Sequence, residues 1–128
     1  MLDEPHPGLP GNEIVRRIEK ALACDGTHTW DDVREMIIDG RAQIFWNQHG
    51  CWITTVATFP RKRVLNAWVV AGELPWVMQL QDEVERFALS QSCDEIVAPG
   101  CRFGWEKILP HHGWRERAMV WSHPVTGV

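Results

Sequence analysis

The segment between residues 104 and 114 constrains the fold more than any other part of this 128-residue sequence. It reads Gly-Trp-Glu-Lys-Ile-Leu-Pro-His-His-Gly-Trp. This predicts a short amphipathic helix over residues 100–109, which ends before Pro110 because proline has no amide to continue it. A strand that begins with tryptophan is predicted over residues 114–121, and an apolar strand over residues 94–98. The chain is therefore expected to finish with a β-α-β arrangement.

Composition places the chain among ordinary globular proteins and argues against several partners. Apolar residues make up 45% and charged residues 23%, and the length suits one domain with a core. The net charge of −4 argues against binding to a phosphate backbone, and the basic run over residues 61–63 reads more simply as a solvated turn. No nucleic acid partner is expected. Eight tryptophans is a large number for a chain of this length. Exposed tryptophan usually marks a contact surface, so protein partners or self-association are expected.

Cysteine spacing and hydropathy bear on metal binding and on location. The cysteines form no CxxC pair and match no zinc-binding spacing, so no metal site is expected. No apolar run approaches the roughly 20 residues of a membrane span, and the acidic, proline-rich start does not look like a signal peptide. We expect a reduced, intracellular protein with no membrane partner.

The first third of the chain predicts an arm followed by two helices. Residues 1–11 are rich in proline and glycine and are expected to form an extended N-terminal arm, whereas residues 12–128 are expected to form a single domain. Asn12 and Thr29 are candidate N-caps of the two helices, and Gly40 is the predicted end of the second.

Three strands and a long helix are predicted next. Residues 42–46 alternate in polarity, and residues 51–59 are rich in β-branched side chains, as half-buried strands are. Residues 64–71 are almost all apolar, which is typical of a central strand covered on both faces. Pro75 suits the first turn of a long helix. The full predicted order is α-α-β-β-β-α-β-α-β.

This order and its motifs resemble the GNAT family of N-acetyltransferases. The match is carried by the strand-helix-strand run over residues 64–98 and by two motifs, Arg-Phe-Gly-Trp at residues 102–105 and His-Gly-Trp at residues 112–114. The resemblance spans residues 12–122. It implies an α/β (α+β) fold in which helices flank a mixed, mainly antiparallel central sheet, with the first strand of the family missing or replaced by the arm.

A closer resemblance is to small acetyltransferase-like proteins of tailed bacteriophages. The motifs that carry it are Gly26-Thr27-His28-Thr29, Asp31-Asp32-Val33, Gly40-Arg41-Ala42-Gln43 and Arg102-Phe103-Gly104-Trp105. It implies a virion-associated or assembly protein, found in the host bacterial cytoplasm and, if packaged, in the phage virion.

The resemblance also implies where acetyl-coenzyme A would bind in an enzyme. The groove residues would be Val69, Val70, Ala71 and Gly72, whose backbone could also stabilise an oxyanion. The family's phosphate loop is rich in glycine, so that consecutive backbone amides reach the pyrophosphate. Here residues 70–75 read Val-Ala-Gly-Glu-Leu-Pro, with one glycine, a proline that cannot donate and an added negative charge. These changes predict weak coenzyme binding, so no cofactor is expected unless the chain is an enzyme.

Proton transfer is the other requirement of the family's chemistry. The sequence has no tyrosine, and Leu109 lies near the place of the usual tyrosine acid. His111 and His112 are candidate substitutes for that acid, or simply a polar pair at a helix end. His28 is a candidate substrate-facing base, or a hydrogen-bonded residue of a turn between two helices.

Arg102 and Trp105 complete the candidate residues. They would form an anion-binding and stacking pair for a coenzyme, or would only fix the last helix to the sheet. The sequence as a whole favours a catalytically silent GNAT-like protein with an assembly or structural role in a phage. The alternative is an acetyl-coenzyme A-dependent N-acetyltransferase that acts on a small-molecule or protein amine.

Overall fold

The computed structural model describes residues 8–99, 105–117 and 120–125. It divides into two compact units, Met1–Val97 and Ala98–Val128. The prediction of one domain over residues 12–128 stays a prediction. No helix in the described ranges is long and apolar enough to cross a membrane.

In the first unit, the described residues form four helices and a four-stranded sheet. Its elements are α1 (Asn12–Asp25), α2 (Trp30–Ile38), β1 (Gln43–Trp46), β2 (Gly50–Phe59), β3 (Lys62–Gly72), α3 (Leu74–Gln79), α4 (Gln81–Ser90) and β4 (Glu95–Val97). In the second unit the structure describes two 3₁₀ helices, Trp105–Lys107 and Leu109–His112.

The first two helices form where the apolar spacing predicts them. α1 buries three residues spaced by four, Ile14, Ile18 and Leu22, on one face. Its N-cap is Gly11 rather than the predicted Asn12, because the Gly11 carbonyl accepts the first helical bond from the Val15 amide, at 3.1 Å.

Thr29 caps α2 as predicted. Its hydroxyl accepts a bond from the Asp32 amide while the Asp32 carboxylate accepts one from the Thr29 amide, so both ends of a capping box are present. Gly40 follows the helix with a φ of 84°, which is the left-handed conformation that ends helices.

The sheet has the strand order β1-β2-β3-β4. β1, β2 and β3 pair antiparallel, whereas β3 and β4 pair parallel. The pairing of β2 with β3 shifts between two pairs, Ile53–Val69 and Thr54–Ala67, which leaves Trp68 as an extra residue on β3. This is a β-bulge, which bends the strand locally.

Helices pack on both faces of the sheet. On one face, buried residues of α1 and α2 form a cluster with alternate residues of β2 and β3, among them Ile53 and Val69. On the other face, the Trp52 indole donates to the Val77 carbonyl of α3 at 2.9 Å. Every residue of β3 from 64 to 72 is buried or half-buried, in accordance with the prediction of a central strand covered on both faces.

The long helix predicted from Pro75 is two helices that meet at Leu80. In a continuous helix the Trp76 and Val77 carbonyls would accept bonds from amides four residues later. Here Asn47 Nδ2 donates to the Trp76 carbonyl at 2.8 Å, and the Val77 carbonyl is bonded by the Trp52 indole. The Asn47 side chain therefore occupies the Trp76 carbonyl, and the Val77 carbonyl accepts the Trp52 indole together with the Leu80 amide, at 3.1 Å, in a tighter turn that ends α3.

The end of the chain also differs from the prediction. Of the predicted helix over residues 100–109, residues 100–104 lie outside the described residues, and the rest lies in the two 3₁₀ helices and the residue between them. Pro110 lies in the first turn of the second 3₁₀ helix, where a missing amide costs no helical bond. No described residue of the predicted strand 114–121 lies in a strand. Val120 and Trp121 are 77% and 86% exposed, so they lack the buried face that stabilises a strand. Gly113 does end the second 3₁₀ helix, with a φ of 88°.

Candidate functional site

The first feature of the candidate site is an open edge along the second half of β3. β4 pairs with β3 at only three positions, the last of which joins Asn66 to Val97. β3 continues to Gly72, and the described part of the chain places no strand beside residues 67–72 on the side of β4. We call this stretch the β3 open edge. Its backbone groups on that side can bond to a ligand, since unpaired strand edges are natural sites of such bonding. The predicted groove residues 69–72 all lie on it.

His28 is brought to the same strand by the turn between α1 and α2. Its ring contacts the bulge residue Trp68 edge-to-face, with ring centroids 4.6 Å apart and an interplanar angle of 73°. Its Nδ1 lies 2.8 Å from the Thr27 hydroxyl. Both interpretations of His28 agree with this position, because it is hydrogen-bonded within the turn and lies next to the β3 open edge. Its role as a base stays a prediction.

Gly72 is required by the packing of its own backbone. Its φ is +127°, and a Cβ at this position would lie 2.3 Å from the His49 carbonyl oxygen and 2.5 Å from Gly50 Cα. No side chain fits there, since ordinary contacts to a Cβ are 3.4–4 Å long. The one glycine that remains of the family's loop is therefore explained by the close approach of β2 and needs no phosphate ligand.

Most of the backbone positions after Gly72 offer no free amide. The Glu73 amide donates to the His49 carbonyl at 2.9 Å, and Pro75 has no amide hydrogen. The Trp76 and Val77 amides both donate to the Glu73 carbonyl at 3.0 Å. Four of the five positions from 73 to 77 therefore have no amide left for a pyrophosphate, which binds through several consecutive amides.

Four ionisable side chains meet at this end of β3. We call Glu13, Arg17, His49 and Glu73 the charged cluster. Arg17 Nη2 lies 3.3 Å from the Glu13 carboxylate and 3.5 Å from that of Glu73. His49 Nδ1 donates to Glu13 at 2.8 Å and lies 3.8 Å from Glu73. The imidazole and the Trp76 ring form a T-shaped pair with centroids 4.8 Å apart. The hydrogen bond from His49 is the main reason why the pKa of Glu13 is lowered, which keeps this carboxylate ionised.

The charged cluster was not predicted from the sequence, although the sequence does indicate one of its ion pairs. Glu13 and Arg17 are four residues apart in α1, which is the spacing of a helical ion pair. The partners His49 and Glu73 are 36 and 56 residues away from the α1 residues they contact, so no local pattern joins them.

The other candidate residues belong to the second unit. Trp105 is half-buried in the first 3₁₀ helix, and His111 and His112 are exposed in the second. Arg102 lies outside the described residues. The coenzyme and acid roles of these residues stay predictions.

The described residues do not fit the two kinds of group weighed for this site. They include no group of three or more His, Cys, Asp or Glu side chains that could hold a metal ion. The end of β3 also does not fit the pyrophosphate of acetyl-coenzyme A, because four of its five positions from 73 to 77 have no free amide and the Glu73 carboxylate adds negative charge. These two obstacles concern phosphate groups at residues 73–77, and they do not apply to a ligand without phosphate at the β3 open edge.

Comparison with known proteins identifies the fold. No protein-family model and no curated protein matches the sequence. Solved structures do match, among them a probable acetyltransferase with a TM-score of 0.67 and 10% identity, over 89% of this chain and 91% of that one. An aminoglycoside acetyltransferase from an uncultured soil metagenomic sample, in complex with sisomicin, matches with a TM-score of 0.64 and 10% identity, over 89% and 87%. The protein TTHA1254 from Thermus thermophilus matches with a TM-score of 0.60 and 14% identity, over 89% and 92%.

These matches confirm the predicted fold class. The sheet is mixed and mostly antiparallel, helices flank it, and the fold is GNAT-like. At identities of 10 to 14% the likeness is one of fold, and a fold by itself does not determine activity.

Proposed function

We propose that this chain is a GNAT-like protein that does not carry out acetyl-coenzyme A-dependent transfer and acts through protein contacts. The observation that carries the proposal is the closed end of β3, where amides and charges that a pyrophosphate would need are bonded within the protein. The motif resemblance to acetyltransferase-like proteins of tailed bacteriophages suggests the setting. There the protein would be virion-associated or would assist assembly in the host cytoplasm.

The physical argument starts from how a coenzyme with a pyrophosphate is held. Its negative charge is stabilised by several amides that point at it without competing acceptors. At the end of β3 these amides bond to the His49 and Glu73 carbonyls, so a ligand would have to break bonds of the folded protein first. The Glu73 carboxylate would in addition repel the phosphate, and 54% of this side chain is exposed at the surface that a ligand would approach.

Contact with other proteins is supported by apolar side chains at the surface of the first unit. Trp46 is 41% exposed at the edge strand β1, and its indole donates to the Gly8 carbonyl of the arm at 3.0 Å. Phe59 is 56% exposed beside the β2–β3 turn, and Leu89 is 79% exposed on α4. Large apolar residues at a surface favour protein contacts because their burial in an interface removes apolar area from water.

Calorimetry with acetyl-coenzyme A tests the first half of the proposal. The wild-type chain is expected to show no binding in the micromolar range. Binding at one site with a micromolar Kd would refute catalytic silence.

The proposed role in protein contacts is tested by native mass spectrometry and by analysis of purified phage particles. Oligomers, or the chain within particles, are the expected result. A strictly monomeric chain that is absent from particles would count against an assembly role.

A second function, N-acetyl transfer, is favoured by the β3 open edge and by the position of His28 beside it. The acyl arm of a coenzyme would lie along this edge, and the imidazole would take a proton from the acceptor amine. A thiol-release assay with acetyl-coenzyme A and a panel of amines tests this function. The panel should include peptides and an aminoglycoside, because one of the similar structures holds sisomicin. Turnover that falls at least about tenfold in His28→Gln would support it.

A further inference from the structure

Arg17 is the member of the charged cluster whose hydrogen-bonding capacity is not filled. Its Nη2 contacts both carboxylates. Its Nε is buried, and no acceptor bonds to it within the part of the chain that the structure describes. A buried donor without an acceptor is unfavourable, so this atom marks a position where an oxyanion would be stabilised.

The contact distances show which of the two carboxylates, Glu13 or Glu73, is more easily displaced from Arg17. Glu13 is held by His49 at 2.8 Å and by Arg17 at 3.3 Å. Glu73 has only longer contacts, at 3.5 Å to Arg17 and 3.8 Å to His49. It also lacks any N-capping bond to α3. Removal of the Glu73 charge therefore disturbs few contacts of the fold.

The guanidinium group has a geometry that suits phosphate. Nε–H and one Nη–H point in the same direction, and together they bind two oxygens of a phosphate or carboxylate. In Arg17 the corresponding atoms are the unfilled Nε and the Nη2, which Glu13 contacts at 3.3 Å and Glu73 at 3.5 Å.

We propose that Glu73 determines ligand specificity at this end of β3: its carboxylate competes for Arg17 and keeps phosphate-bearing ligands out. Without that charge, Arg17 becomes a binding residue for the phosphate groups of a nucleotide-containing coenzyme. The inference rests on the proposed function, because it gives the reason why the chain does not use such a coenzyme. It also predicts that ligands without phosphate are unaffected by Glu73.

The test compares coenzyme A with pantetheine, which has the same arm but no phosphate. Calorimetry at low ionic strength is carried out with the wild type, Glu73→Gln, and Glu73→Gln combined with Arg17→Gln. Glu83→Gln is the matched control, since Glu83, like the N-cap residue Glu73, is an exposed carboxylate near the start of a helix and lies outside the charged cluster.

Glu73→Gln is expected to bind coenzyme A at least about tenfold more tightly than the wild type, which corresponds to about 1.4 kcal/mol. The gain should disappear when Arg17→Gln is added, and Glu83→Gln should bind like the wild type. Pantetheine should bind all four proteins equally. Glu73→Ala, which removes the carboxylate without introducing the side-chain amide of glutamine, should reproduce the gain. It serves if Glu73→Gln folds poorly by circular dichroism.

Three results would overturn the inference. One is that neither Glu73 variant binds coenzyme A more tightly than the wild type. The second is a gain that survives Arg17→Gln, and the third is an equal gain for pantetheine. Tight binding of coenzyme A by the wild type would instead refute the proposed function, and the ratio between Glu73→Gln and wild type would still decide the role of Glu73.

Discussion

Gly72→Ala is the substitution that separates a packing role for this glycine from a ligand-binding role. The new Cβ would lie 2.3 Å from the His49 carbonyl oxygen, about 1 Å inside the shortest ordinary contact. Relief of this contact requires β2 and β3 to move apart, which breaks the bond from the Glu73 amide to the same carbonyl, worth about 1 kcal/mol. A φ of +127° adds about 1–3 kcal/mol of backbone strain for a residue with a Cβ. The free energy of unfolding should fall by about 2–4 kcal/mol, a large part of the total for a domain of this size.

Urea denaturation followed by tryptophan fluorescence measures this loss, and Gly26→Ala provides the control. Gly26 also has a left-handed φ, of +69°, but no atom lies within 4 Å of its ideal Cβ. Its replacement should cost only the backbone strain, about 1 kcal/mol. An equal loss of stability in both variants would refute the packing argument and would reopen a ligand-binding explanation for Gly72.

Three further predictions concern the first unit. Ser92 has a φ of 59°, so Ser92→Gly should raise the free energy of unfolding by about 0.5–1 kcal/mol, and an unchanged urea midpoint would contradict this. Hydrogen bonds from Thr29 hold the pKa of Asp32 below its ordinary value of 3.8. The stability from this carboxylate is therefore present above pH 3.8 and is lost as the pH falls through the lower pKa of the folded state. Thermal melts over the acidic range should show a smaller pH dependence for Asp32→Asn than for the wild type, and identical slopes would refute the role of the cap. Burial raises the pKa of the Cys51 thiol to about 12, whereas Cys24 is exposed. Iodoacetamide at about pH 8 should therefore alkylate Cys24 and spare Cys51, and mass spectrometry that finds Cys51 labelled in the folded protein would contradict this.

The local parts of the fold could be predicted because their causes lie within a few residues. The apolar spacing in α1, the capping box that begins at Thr29 and the β-branched run of β2 all act over short distances. The break at Leu80 could not be predicted, since it depends on side chains of β2 and the preceding turn that reach the carbonyls of α3. The predicted strand over residues 114–121, of which no described residue lies in a strand, shows that the rest of the molecule can also override a local pattern. An apolar segment forms a strand only where the rest of the molecule offers it a partner and a buried face.

Some features of the candidate site could likewise be predicted from the sequence, and others could not. The sequence locates the end of β3 and indicates that residues 70–75 are poor phosphate ligands. This could be predicted because the effects of glycine, proline and glutamate on the backbone and on charge act at their own positions. It does not indicate that Gly72 is needed for the approach of His49, or that Arg17 and His49 lie beside Glu73. These contacts join α1, the β1–β2 turn and the start of α3, so only the folded chain brings them together.

One carbonyl connects the fold with the proposed absence of coenzyme binding. The His49 carbonyl passes so close to β3 that only glycine fits at position 72, and it also takes the amide of Glu73. The His49 side chain, from the same residue, supports the Glu13 carboxylate that shares Arg17 with Glu73. The turn between β1 and β2 thus acts on the end of β3 in two ways. The His49 carbonyl occupies the Glu73 amide, and the His49 side chain holds the Glu13 carboxylate next to Arg17. Removal of the Glu73 charge alone should therefore restore only the contribution of Arg17. Full coenzyme affinity would also require the amides to be released by a change in the path of the β1–β2 turn.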